Sequence, residues 1–465
     1  MNDLTIVLDG KSGVPLYEQI YYHIKNEITE GGLPFGKRLP STRKLAKFLQ
    51  VSRTTVDLAY EQLVSEGYVE ARPCKGYYVC ELEGICSLRP ESPRARRKPK
   101  QQDAGCLYDF SPRGVDLNSF PLGAWRKISK EILMEDNTRF FQLGDPAGEW
   151  ELRCTIADYL HQARGVSAEP EQIIVGAGND FLHMLLRVLL GNRRVLAMES
   201  PTYRKAYELF ESLSCTVKIA GMDESGMRID SLEETGADLA YVMPSHQYPL
   251  GIVMPVKRRM QLLEWAARKE GRYIIEDDYD SEFRYRGKPI PALAGYDRQG
   301  KVIYIGTFSK SIAPAIRVSY MVLPEGLMEK YNERGRRISS TVSRVDQLLI
   351  ARFLNEGYYE RHLNKMRAVY KSRHDTLLEA MKPFRKILTV SGENAGVHLL
   401  LNFHNGMTEQ EAADRAWTKG VKVYGLSRYY VGGVSQERQT VILGYANVTE
   451  DAIKEAAGRL AQAWL

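Results

Sequence analysis

From Leu16 onward the chain repeats apolar residues at three- and four-residue steps, and LYEQIYYHIKNEITEG reads as an amphipathic helix closed by glycine. Two shorter helical patterns follow. The first sets Leu45, Ala46 and Leu49 on one face behind a Ser41 N-cap; the second sets Val56, Ala59, Tyr60 and Leu63 behind a Ser52 cap. YVEARPCKGYYV then reads as two short strands around a basic turn, a wing. Between about Leu82 and Asp103 the pattern collapses: LRPESPRARRKPKQQDAG carries three prolines and six basic residues with no apolar periodicity. A stiff, positively charged and solvated linker is expected there. After Leu107 apolar β-rich runs alternate with amphipathic helical segments, the pattern of an α/β domain with a mostly parallel sheet. The expected organisation is an α+β winged helix-turn-helix head over residues 1–80, a basic linker over 81–105 and an α/β body over 106–465.

Composition changes this picture little. Hydrophobic residues make up 44% and charged residues 26%, ordinary values for a globular protein. The longest apolar run, FLHMLLRVLL, is too short to span a membrane and is interrupted by His183 and Arg187. MNDLTIVLDGKSG lacks a charged-then-apolar signal pattern, so a cytoplasmic protein is expected. The six cysteines form no CxxC pair, and no metal centre is expected.

The net charge of +6 becomes informative once it is located. Lys37, Arg38, Arg43, Lys44, Lys47 and Arg53 lie between Gly36 and Val56 without one acidic residue. They coincide with the two capped helices and the wing. Arg53, Thr54 and Thr55 form the first turn of the second helix, free to enter a major groove of double-stranded DNA, and Lys37 is expected against phosphates. A merely solvated basic face is the bland alternative; the coincidence of charge, caps and wing favours DNA. The stretch LPSTRKLAKFLQVSRTTVDLAYEQLVSEGYVEARPCKGYYV, Leu39 to Val79, resembles the winged-helix head of GntR-type regulators. That resemblance implies that Arg43, Arg53 and Thr55 approach operator DNA, with Lys75 and Gly76 at the wing tip.

The body carries a second set of chemical groups. QIIVGAGNDFLHMLLRVLL reads as strand, glycine turn and helix, so GAGND at 176–180 presents backbone N–H groups to a phosphate. RYIIEDDYDSEF reads as a buried strand with acidic residues where it emerges, the edge at which α/β sheets bind ligands. A buried Asp277 there needs a cationic partner or it protonates. A protonated pyridine nitrogen meets that need, and Tyr279 is placed to serve a nearby phenolate oxygen. KVIYIGTFSK is a further strand ending in Thr307, Ser309 and Lys310, and Arg317 follows seven residues on. A lysine at this edge forms a Schiff base with an aldehyde cofactor, and an arginine beside two hydroxyls pairs with its phosphate. Singly each residue is ordinary. Together with the glycine turn they describe a site for pyridoxal 5'-phosphate.

From Asp109 to the C-terminus, about 360 residues, the chain resembles the fold-type I aminotransferase family, and as a whole it resembles the MocR/GabR family of bacterial regulators. The motifs are VGAGND, MESPTYRKAY, MPSHQYPLGIVMP, IIEDDYDSEF, GTFSKSIAPAIRVSY and YGLSRYY. The resemblance implies that Lys310 bears the internal aldimine, that Gly178, Asn179, Thr307, Ser309 and Arg317 help seat the cofactor, and that Asp277 faces its pyridine nitrogen. It further implies that Tyr279 faces the phenolic oxygen, that Tyr203 stacks on the ring and that Arg428 faces an effector carboxylate. Lys205 stands where some relatives carry a second effector-binding arginine. Leu250, Ala315 and Ser319 depart from the family pattern, replacing a threonine and two glycines. The expected protein is a regulator that senses an amino compound, or the cofactor itself. A homodimer is expected, with each head packed on its partner's body. An active aminotransferase with a DNA-binding appendage is the alternative, and a cofactor-free scaffold the third reading. Under the first reading, transamination is at most weak or a half-reaction.

Overall fold

The computed structural model describes residues 6–10, 12–82, 105–134, 138–191, 193–285, 290–393, 396–432 and 438–465. Almost all of the basic linker, and Cys86 with it, lies outside them. The chain divides into two units, Met1–Gln102 and Asp103–Leu465.

In the first unit, helix α1 (Leu16–Thr29), α2 (Thr42–Leu49) and α3 (Arg53–Ser65) precede a hairpin of β1 (Val69–Arg72) and β2 (Gly76–Val79). The caps form where the sequence placed them: Ser41 Oγ accepts from the Lys44 N–H at 3.3 Å, and Ser52 Oγ from the Thr55 N–H at 3.1 Å. Ile20, Ile24, Val56, Ala59, Tyr60 and Leu63 are fully buried together, so the apolar stripes of α1 and α3 make the core. Val69 pairs with Val79 and Arg72 with Gly76, and the tip carries Cys74 and Gly76 at positive φ.

The body is built on a seven-stranded sheet. Its strands are β3 (Ile173–Gly176), β4 (Val195–Met198), β5 (Thr216–Ile219), β6 (Leu239–Val242), β7 (Tyr273–Asp278), β8 (Val302–Thr307) and β9 (Ser319–Val322). The spatial order is β3-β9-β8-β7-β6-β4-β5, and β9 alone runs antiparallel to its neighbours. Both faces are covered, as a parallel sheet requires: Ile274 joins Leu262 and Trp265 on one side, while Ile275 joins Leu182, Leu186 and Tyr241 on the other. A four-stranded antiparallel sheet follows, of β10 (Leu388–Ser391), β11 (His398–Phe403), β12 (Tyr424–Gly425) and β13 (Thr440–Gly444), in the order β10-β11-β13-β12. Among the described residues no helix is long and apolar enough to cross a membrane.

Candidate functional site

The carboxyl ends of β3, β7 and β8 converge on one cavity of about 300 Å³. Each loop follows a strand that neighbouring strands hold in register, Asp277 beside Ile305 and Asp278 beside Gly306. Gly306 allows the close approach of β9, since a Cβ there would run into the Tyr320 ring. Asn179, Tyr203, Lys205, Asp277, Tyr279, Thr307, Ser309, Lys310 and Arg317 all line this cavity. They come from five separate stretches of sequence, so only the fold assembles them.

Asp277 is buried, accepts from Asn179 Nδ2 at 3.2 Å and from the Tyr241 hydroxyl, and among the described residues has no cation within ion-pair distance. Burial pushes its carboxyl up to about 7, against the pull of the Tyr241 hydrogen bond. Lys310 donates to the Pro112 carbonyl at 3.5 Å, and burial brings its ammonium down to about 8. The site therefore holds a carboxylate in want of a cation and an amine near the point of losing its proton. The Tyr279 hydroxyl lies 2.8 Å from His246 Nδ1, and Asp280 holds that same nitrogen at 3.0 Å.

Gly178 takes φ +87° at the N-cap of the helix Asn179–Leu190, and a Cβ there would collide with the Arg317 guanidinium. Arg317 itself takes φ +52°, a left-handed conformation that disfavours a side chain by about 1–2 kcal/mol. Its guanidinium lies over Gly178. Ser309 Oγ is buried without a hydrogen-bond partner, and Ser319, where the family pattern has glycine, donates to Thr307 Oγ1 at 2.8 Å. Asp180 pairs with both Lys205 at 2.6 Å and Arg317 at 3.2 Å. A helix N-terminus, an arginine and three hydroxyls thus face one end of the cavity, a seat for a phosphate.

Arg428 does not line this cavity. It is exposed, with its guanidinium 5.1 Å from the Tyr424 ring centre, because the short 3-10 turn Ser427–Tyr429 buries Tyr429 and turns Arg428 outward. Arg113 is present instead, its guanidinium 5.9 Å from the Tyr203 ring centre. Arg113 and Tyr241 were not singled out from the sequence, and Asp180 and His246, inside the GAGND and MPSHQYPLGIVMP runs, were given no role of their own. The one signal was for Tyr241, on a strand ending one register position from Asp277.

In the head, Arg43, Arg53, Thr54 and Lys75 are exposed, while Lys37, Thr55 and Gly76 are half-buried. Arg53 pairs with Asp57 at 3.3 Å across one helical turn, and the Thr55 hydroxyl is 2.8 Å from Ser52 Oγ. The first turn of α3 thus presents Arg53 and Thr54 outward and spends Thr55 on its cap.

Comparison with known proteins follows the same division. "Bacterial regulatory proteins, gntR family" matches residues 16–79, and "Aminotransferase class I and II" matches residues 114–460. The HTH-type transcriptional regulator YdeL of Bacillus subtilis (strain 168) is 38% identical over 463 residues, covering 99% of each chain. The "Probable rhizopine catabolism regulatory protein MocR" of Rhizobium meliloti is 31% identical over 475 residues, covering 99% of this chain and 96% of that one. The body is similar to the crystal structure of Pyrococcus horikoshii kynurenine aminotransferase in complex with PMP, with a TM-score of 0.69 and 28% identity, covering 77% of this chain and 91% of that one. The aminotransferase is matched by the body, whereas the regulators are matched from end to end. The chain therefore belongs to the MocR/GabR family of transcriptional regulators, in which a GntR-type DNA-binding head is joined to an aminotransferase class I and II body.

Proposed function

We propose that this regulator binds operator DNA through Arg43, Arg53, Thr54, Thr55 and the Lys75–Gly76 wing tip, with Lys37 on phosphate, and that its body holds pyridoxal 5'-phosphate to detect an amino compound. The observation that carries the second half is the pairing, in one cavity, of an amine brought down to about 8 with a buried carboxylate pushed up to about 7. The orphaned Ser309 hydroxyl and the Gly178–Arg317 seat fit the phosphate of the same ligand. When bound, the cofactor supplies an aldehyde that exchanges the lysine amine for an incoming one. Lys310 would hold that aldehyde, and Asp277 would meet the ring nitrogen, whose proton would supply a cation. Tyr203 covers the ring face and Tyr279 reaches the phenolic oxygen. Asn179 keeps Asp277 oriented, and Thr307, Ser309 and Arg317 take the phosphate. Lys205, beside Asp180, is an effector-side cation, and Arg428 joins it only if its side chain swings inward.

An amine taken up beside Lys310 would change the charge inside the body, and a ligand that discriminates between two states shifts their populations. The regulator works as a homodimer, with each head on its partner's body. Phe141 and Leu143, 79% and 89% exposed, support an apolar association surface on the body. Its role as a DNA-binding regulator supports a cytoplasmic location. The test is a visible absorbance spectrum of purified protein, with operator binding followed as pyridoxal phosphate and then amines are added. Wild type is expected to absorb in the visible and Lys310→Ala to lose that band while keeping its circular dichroism. An unchanged band in Lys310→Ala shows that another residue holds the cofactor. Operator binding that follows cofactor loading alone, without amine, identifies the cofactor itself as the signal.

Turnover is the second reading, favoured by the same Lys310, whose lowered basicity suits proton transfer as well as attachment. Keto acid formed in large excess over protein would establish it.

A further inference from the structure

We infer that Arg113 is the specificity-determining residue that recognises an acidic group on the effector, so that the ligand class is amines bearing a carboxylate or similar anion. This rests on the cofactor-and-amine reading above and names the ligand of that site. Lys310 Nζ donates to the carbonyl of Pro112, the residue immediately before Arg113. An amine that replaces Lys310 therefore arrives within one side chain's reach of the Arg113 guanidinium.

The other cations of the cavity are already committed. Lys205 and Arg317 share Asp180, at 2.6 and 3.2 Å, so each already has a carboxylate partner. Arg113 has no carboxylate within ion-pair distance among the described residues. Its ionisable neighbours are instead the rings of Tyr248, Tyr203 and Tyr429, of which Tyr248 and Tyr429 are joined hydroxyl to hydroxyl at 2.9 Å. The acids of the cavity wall are engaged elsewhere: Asp277 with Tyr241 and Asn179, and Asp180 with Lys205 and Arg317. A guanidinium at the mouth of a ligand cavity, flanked by aromatic rings and lacking an internal counter-ion, is a planar fork for an incoming carboxylate. Arg428, exposed beside the Tyr424 ring, does not line this cavity.

The experiment uses full-length protein loaded with pyridoxal phosphate and two matched series, straight-chain amino acids and alkylamines of equal length. Binding is read both by the shift in visible absorbance and by calorimetry. In wild type at least one amino acid half-saturates at about tenfold lower concentration than its alkylamine. Arg113→Gln removes that preference, losing about tenfold on the amino acid and under about twofold on the alkylamine, and Arg113→Lys is intermediate. An unchanged melting temperature and starting spectrum in Arg113→Gln separate recognition from misfolding. The inference is overturned if Arg113→Gln keeps the wild-type preference, if the preference disappears only in Arg428→Gln, or if wild type does not distinguish the two series. A wild type without cofactor absorbance sinks the underlying reading instead.

Discussion

Lys310 owes its reactivity to burial first, with the charge of Asp280 opposing the shift and that of Arg113 adding to it. Only the neutral amine attacks an aldehyde. Its folded value of about 8 lies below the ordinary lysine value, so the neutral fraction grows as pH rises toward and through 8. Cofactor uptake by the ligand-free protein should therefore quicken by about tenfold per pH unit below 8 and level off above it. Stopped-flow absorbance from pH 6 to 10 checks this, and a rate still climbing at pH 10 would show that burial does not depress the lysine. Asp277 behaves in the opposite sense. Burial raises it to about 7, and a cationic ring nitrogen should restore the ordinary carboxylate state.

At the scale of elements, short segments carry function by what they leave exposed. Helix α3 hides Val56, Ala59, Tyr60 and Leu63 in the head core and caps its first turn with Ser52, which leaves Arg53 outside and paired to Asp57. An exposed helical ion pair is worth a few tenths of a kcal/mol, so DNA can outbid Asp57 for Arg53. If Arg53 reads a base edge, Arg53→Ala should lose about 1–3 kcal/mol on the operator and relax preference at one position. Lys37→Ala should weaken all sequences alike and flatten the salt dependence by about one unit of slope. Fluorescence anisotropy on operator and scrambled duplexes at several salt concentrations separates the two. Wild-type affinity and preference in Arg53→Ala would remove it from the base-reading set. The loop after β8 shows the same in the body: the left-handed Arg317 sets its guanidinium where a side chain on Gly178 would collide with it.

For the whole molecule, the regulator needs the two units to be coupled, and coupling between two binding sites is reciprocal. If an amine changes operator affinity by some factor, operator DNA must change amine affinity by the same factor. Titrating amine into cofactor-loaded protein, with and without saturating operator, should return equal factors, about 5–150-fold for couplings of ordinary size. A factor of one in both directions would leave head and body as independent binders and remove the sensing role. Sedimentation of the same samples reports whether coupling accompanies a stable dimer.

The sequence by itself determined the head almost completely. Its information is local: caps three residues from their N–H partners, stripes at helical spacing and a hairpin closed by its own turn. It also marked Asp277, Lys310 and Arg317, because a strand running into chemically unusual residues is visible along the chain. Tertiary structure decided the rest of the cavity. Tyr241 reaches Asp277 from a neighbouring strand, and Asp180 ties Lys205 to Arg317 from a different helix. Arg113 enters from a loop nearly two hundred residues before Lys310, while Arg428, expected inside, is turned out by the burial of Tyr429. Such placements depend on which way a side chain leaves a packed wall. That direction is fixed by neighbours far away in sequence, and no local pattern encodes it.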